Sequence, residues 1–173
     1  MFNVLVYDKG VKRGNLSSAL LHDKRFWIDI KDPSRDEIRK LSDLLGFGNI
    51  VNDYYTDNTV RSKISNLKNF TILKLYGLNI EKNTIKTKQI VFILGRNYLI
   101  TLRKDDFEYI SQMIRSRDKL NAVMKEGADY LFYTIIDLIV DNYFSDLETM
   151  DKELETLEAK TIANSDTDVL KRL

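Results

Sequence analysis

Up to Leu102 the apolar residues come in short runs, several of them alternating with polar ones; from Asp105 onward they recur every three or four positions. The first habit predicts strands and the second helices. Strands are expected over 2–7, 26–30, 63–68, 70–80, 85–94 and 98–102, with Gly77 as a β-bulge, Asn83 in a hairpin turn and Gly95-Arg96-Asn97 as a tight turn. KGVKRGN, after the first strand, reads as a turn. Ser34 followed by Glu37 makes a capping box before a helix over 35–45, and Gly46 is placed to close it. Residues 49–58 read as a short helix or an irregular loop. Helices are expected over 105–120 and, briefly, over 121–125. Several strands do not alternate, so part of the sheet should lie under helices on both faces.

The longest periodic stretch follows Gly127. Residues 128–160 contain no Pro and place Leu131, Ile135, Leu138, Ile139, Phe144, Leu147, Met150, Leu154 and Leu157 at helical spacing. One helix of this length would reach roughly 50 Å at 1.5 Å per residue, long enough to leave a small domain and meet another helix or subunit. The chain thus divides into an α/β unit, 1–127, and a helical part, 128–173, in which Asn164-Ser165-Asp166 forms a turn and a further helix begins around Val169 and Leu170. That helix is still unfinished at Leu173, a pattern expected of a piece of something longer.

Acids are ordered along the long helix. Asp137 and Asp141 lie one turn apart inside the otherwise apolar run YLFYTIIDLIVDNYF, and Glu148, Asp151, Glu155 and Glu158 continue the series. A solvated acidic face is one reading. The other is a carboxylate stripe that holds divalent cations, because a carboxylate among apolar neighbours is costly unless it is paired or metal-bound.

Composition narrows the chemistry. The 173 residues are 43% apolar and 31% charged, as in a globular domain with a real core. There is no Cys and a single His, His22, which reads as a surface loop residue. Any metal chemistry therefore falls to oxygen ligands and hard cations such as Mg2+. No apolar run reaches the ~18 residues of a membrane span, and no secretory signal is visible, so this stretch is expected to be soluble and cytosolic. Net charge is +1 but uneven: +8 over residues 1–127 and −7 beyond. An acidic helix on a basic body favours association between copies. The bases are scattered without aromatic interleaving, which argues against nucleic acid. Phosphate-binding loops, HExxH and GxSxG are absent, and the common catalytic triads cannot be assembled, so no enzyme is expected.

Several segments are similar to one family. Phe26-Trp27-Ile28-Asp29-Ile30 followed by Asp32-Pro33 resembles the W-I-D…P opening of the cytoplasmic domain of CorA-type magnesium/cobalt transporters. Arg61-Ser62-Lys63-Ile64 resembles that family's R-P-K-V strand start, with Ser62 in place of Pro, and the run from Gln89 to Thr101 resembles its hairpin. The most specific segment is Ala128 to Phe144, similar to A-D-Y-L-L-Y-x-x-x-D-x-x-V-D-x-Y-F. The resemblance implies an α/β/α sandwich with a mixed, largely antiparallel sheet, followed by the long helix of a C-terminal helical hairpin. It implies the N-terminal, cytoplasmic part of a homopentameric channel, without the stalk, the membrane helices or the Gly-Met-Asn pore signature. Its partners would be other copies of the chain and divalent cations, and it would meet the membrane only through a further C-terminal part.

The family also implies a regulatory role: Mg2+ between subunits holds the channel closed. By position Asp137 matches the interfacial aspartate of the long helix. The family's Glu-Asp pair falls on Asp53 and Tyr54; Tyr54 is a poor Mg2+ ligand, and Asp57 is the acid nearest to compensate. Asp141 is the second candidate on the long helix. Two other readings stay open: an oligomerisation or scaffold domain with no metal role, and the cytoplasmic domain of a ZntB-like zinc transporter.

Overall fold

The computed structural model describes residues 2–16, 24–81 and 84–163. Expectations for His22, Asn83 and the turn and helix after residue 163 fall outside them. The strands are β1 (Phe2–Tyr7), β2 (Val11–Arg13), β3 (Arg25–Lys31), β4 (Lys63–Asn66), β5 (Phe70–Glu81), β6 (Thr84–Gly95) and β7 (Tyr98–Arg103). The helices are α1 (Arg35–Leu45), α2 (Ile50–Thr56), α3 (Glu108–Arg115), α4 (Arg117–Glu126) and α5 (Ala128–Ala163).

The strands form one sheet in the order β2-β1-β3-β7-β6-β5-β4. Every pairing is antiparallel except the central one, β3 with β7, where Phe26 lies opposite Tyr98 and Ile30 opposite Leu102. Helices cover both faces. On one, Ile38 and Leu41 of α1 and Val51, Tyr54 and Tyr55 of α2 pack with Ile28, Ile72, Ile93 and Ile100. On the other, Ile110 of α3, Leu120 of α4 and Leu131, Ile135 and Ile139 of α5 pack with Trp27, Phe92 and Leu99. This is a three-layer α/β/α sandwich, and β3 and β7, buried on both sides, do not alternate between apolar and polar for that reason.

Local signals act as expected in α1. The Ser34 side chain accepts from the Glu37 amide, Glu37 returns to the Ser34 amide, and Gly46 ends the helix with φ 71°. Residues 50–56 are helical. Three readings are corrected. Residues 11–13 are a short edge strand and not only a turn, with Val11 opposite Tyr7. Gly77 is no bulge: it holds regular register opposite Lys88, and a Cβ there would come within 2.8 Å of the Phe107 ring. The helix expected to run to residue 120 breaks at Ser116, whose φ/ψ of −85°/90° is extended. Had α3 continued, Arg117 would have fallen in the stripe of Ile110, Met113, Leu120 and Met124, all buried; the break leaves it exposed.

A candidate carboxylate site split between two layers

On α5 the inward stripe is Leu131, Ile135 and Ile139, extended by Tyr143, whose hydroxyl donates to the Tyr76 carbonyl. Asp137 and Asp141 project from the opposite side and are exposed. The expected conflict between these carboxylates and apolar neighbours therefore does not arise within the chain. A second apolar series shares their face. Tyr130, Tyr133, Val140, Phe144, Leu147 and Leu154 are 41–63% open to solvent, and with Asp137 and Asp151 they follow alternating steps of three and four. That is the seam spacing of a helix that packs against another helix. Spacing along the sequence alone merges the two apolar stripes into one.

Asp53 is exposed on α2, in the layer on the other side of the sheet. One chain therefore keeps Asp53 apart from Asp137 and Asp141, and among the described residues no three acids or histidines converge to hold a metal ion. Tyr54 turns inward: it is 3% exposed, its hydroxyl lies 2.6 Å from Ser65 Oγ, and Lys63 stands over its ring. It is a core residue and not a ligand.

Asp57 is already committed. Its Oδ2 accepts from Lys74 Nζ at 2.7 Å, and its Oδ1 accepts from the amide and hydroxyl of Thr59. These donors hold its carboxyl well below the usual range. Burial works against the charge on Lys74, whose side chain is fully enclosed, but Asp57 and Tyr76 outweigh it and the ammonium's pKa is raised. Releasing Asp57 to a cation would strand a buried charge.

A second enclosed pair lies beneath α3. Arg103 grips Asp29 through Nε and Nη2 at 2.9 and 3.0 Å and reaches Asp106 through Nη1 at 2.8 Å. Thr101 donates to Asp29, and the Trp27 indole donates to Thr101. Asp29 and Arg103 are almost fully buried, so this network serves the fold and not a ligand.

The donors that remain free, Asp137, Asp141 and Asp53, are exposed oxygens suited to a hard cation, but each layer offers only part of a coordination shell. A family model described as CorA-like Mg2+ transporter protein matches residues 23–173. The chain belongs to that family. Two curated CorA relatives, both cobalt/magnesium transport proteins, agree: that of Thermotoga maritima is 26% identical over 84% of this chain and 43% of its own length, and that of Methanocaldococcus jannaschii 25% over 96% and 53%. The chain thus spans about half the length of these CorA relatives. The solved soluble domain of the M. jannaschii CorA superposes with a TM-score of 0.79 at 24% identity, covering 98% of this chain and 68% of that one. The fold is accordingly that of the CorA soluble domain, and the family is one of transporters. No helix among the described residues is long and apolar enough to cross a membrane.

Proposed function

We propose that this chain is the cytoplasmic, cation-sensing part of a CorA-type Mg2+ transport protein, and that Mg2+ held between copies stabilises the closed form of a homopentameric channel. The observation that carries the reading is the position of Asp137, exposed on a helix face where Tyr133, Val140 and Phe144 are also open. Large exposed apolar side chains in register mark a surface that another helix or subunit covers. Covering it brings Asp137 and Asp141 into a drier environment and toward the acids of a neighbour, such as its Asp53. A bound divalent cation supplies the opposing charge and keeps several of its waters. Without that charge the carboxylates repel, and the population moves toward looser packing.

The test is a Mg2+ titration followed by thermal unfolding and analytical ultracentrifugation. A saturable rise in stability is expected in the millimolar range, about 2.7 kcal/mol at a hundred times Kd, together with larger assemblies. Both responses should vanish in Asp137→Ala and persist in Glu153→Ala. An unchanged response in Asp137→Ala would sink the sensor reading, and association indifferent to Mg2+ would favour a plain oligomerisation module.

A further inference from the structure

A second feature has no part in the carboxylate site. Between β2 and the elbow joining α3 to α4 lies an open cleft of about 600 Å3. Its floor is apolar, formed by Leu5, Val11, Ile114 and Leu120. Its rim carries three cations, Arg13 from the edge strand and Arg115 and Arg117 from the two sides of the break at Ser116; Lys12 also borders it but lies opposite Val6, which packs on the other face of the sheet. Among the described residues no acid lines it.

Some cations elsewhere on the surface are matched, Lys24 with Asp8, Lys31 with Asp106 and Arg39 with Asp36. On this rim Arg115 has an acid near it, Glu108 at 3.8 Å, with both side chains mostly open to water. Lys12 acts on Asp8, but that carboxylate is already held by Lys24 at 2.7 Å. Arg13 and Arg117 make no ion pair with a described residue. The negative end of α3 and the positive end of α4 meet at the elbow and largely offset, so the side chains set the sign. Three like charges around one concavity repel, and a cleft of one sign with apolar walls concentrates the field on an incoming anion.

We propose that this cleft binds a small phosphorylated anion of the nucleoside polyphosphate class. The guanidinium groups of Arg13, Arg115 and Arg117 offer paired donors to phosphate oxygens, and the apolar floor accepts a flat ring. The volume lies in the usual range for small-ligand sites. The cations encircle one pocket instead of tracking along a surface, which favours a small ligand over a nucleic acid strand. Phosphate chemistry is shared with anionic lipid headgroups, so the experiment separates the two sources.

Calorimetric titrations would use sodium ATP, inorganic tripolyphosphate and phosphatidylglycerol vesicles, in Mg2+-free buffer with chelator, which keeps the outcome independent of the Asp137 reading. The whole chain is compared with Arg13→Glu/Arg117→Glu and with a control reversal on α1, Arg35→Glu/Lys40→Glu. All four side chains are exposed, and circular dichroism checks that both variants fold. Saturable ATP binding is expected, weakened by at least about tenfold in the cleft variant, nearly unchanged in the control, weaker for tripolyphosphate and falling steeply with added salt. The proposal is overturned by no saturable ATP binding, by equal losses in both variants, by tripolyphosphate binding as tightly as ATP, or by vesicle binding without ATP binding.

Discussion

The Asp29 carboxylate shows how much one residue can hold. It is wholly buried and accepts from Thr101 and twice from Arg103, and the guanidinium extends the chain of bonds to Asp106. Burying two charges is expensive, and only near-complete satisfaction makes it tolerable. Asp29→Ala should therefore cost about 3–5 kcal/mol, because it strands a buried guanidinium. Asp29→Leu combined with Arg103→Met should cost less than either single change, as read from urea denaturation midpoints. The sequence shows Asp29 inside an apolar strand, but not its partner 74 positions later. The same holds for Asp57: nothing local announces Lys74, an apparently ordinary base on β5 that proves fully enclosed. Asp137 and Asp53 stand out as acids in the sequence, yet their separation by the sheet follows only from the opposite faces on which α5 and α2 pack.

At the scale of elements, α5 carries two apolar stripes with different work. Ile135 is fully buried against the sheet, whereas Phe144 is 63% exposed. Ile135→Ala should lower stability by about 2–5 kcal/mol. Phe144→Ser should change it by no more than about 0.5 kcal/mol, as for an ordinary surface site, while reducing self-association measured by sedimentation. If both variants lose stability equally, the outer stripe is part of the chain's own core and not a docking face. Period alone announced the helix, since spacings of three and four fit either stripe, but it does not say which side faces the sheet. Signals that act within a few residues were legible: the Ser34–Glu37 box, the Gly46 cap and the hairpin of β6 and β7. Signals that depend on distant partners were not. Gly77 is needed by Phe107, thirty residues on, and the break at Ser116 keeps Arg117 out of a buried stripe.

For the whole molecule, titration should expose the layers at both ends of the pH scale. Arg103 and Lys31 hold the Asp106 carboxyl below its usual range. Its contribution is present above about pH 4, the unfolded value, and is lost as pH falls toward its folded pKa. Burial, with smaller effects from Asp32 and Asp105, pushes the Tyr55 phenol up to about 12. Its contribution is complete below about pH 10 and drains away as pH rises toward 12. Unfolding midpoints measured across pH should therefore form a plateau with an acid shoulder and an alkaline one; Tyr55→Phe should soften the alkaline shoulder and leave the acid one in place. The parallel pairing of β3 with β7 sets a timetable as well as a topology. Phe26 must wait for Tyr98, seventy-two residues later, and at synthesis rates of about 5–20 residues per second the gap lasts roughly 4–14 s. Through that interval the three-stranded β2-β1-β3 piece presents the open edge of β3 on its way off the ribosome, a standing invitation to pair with the wrong chain. Asp29, still without Arg103, then serves as an inward-facing charge that makes a foreign strand unwelcome, and the side chain that later locks the centre of the sheet first guards it.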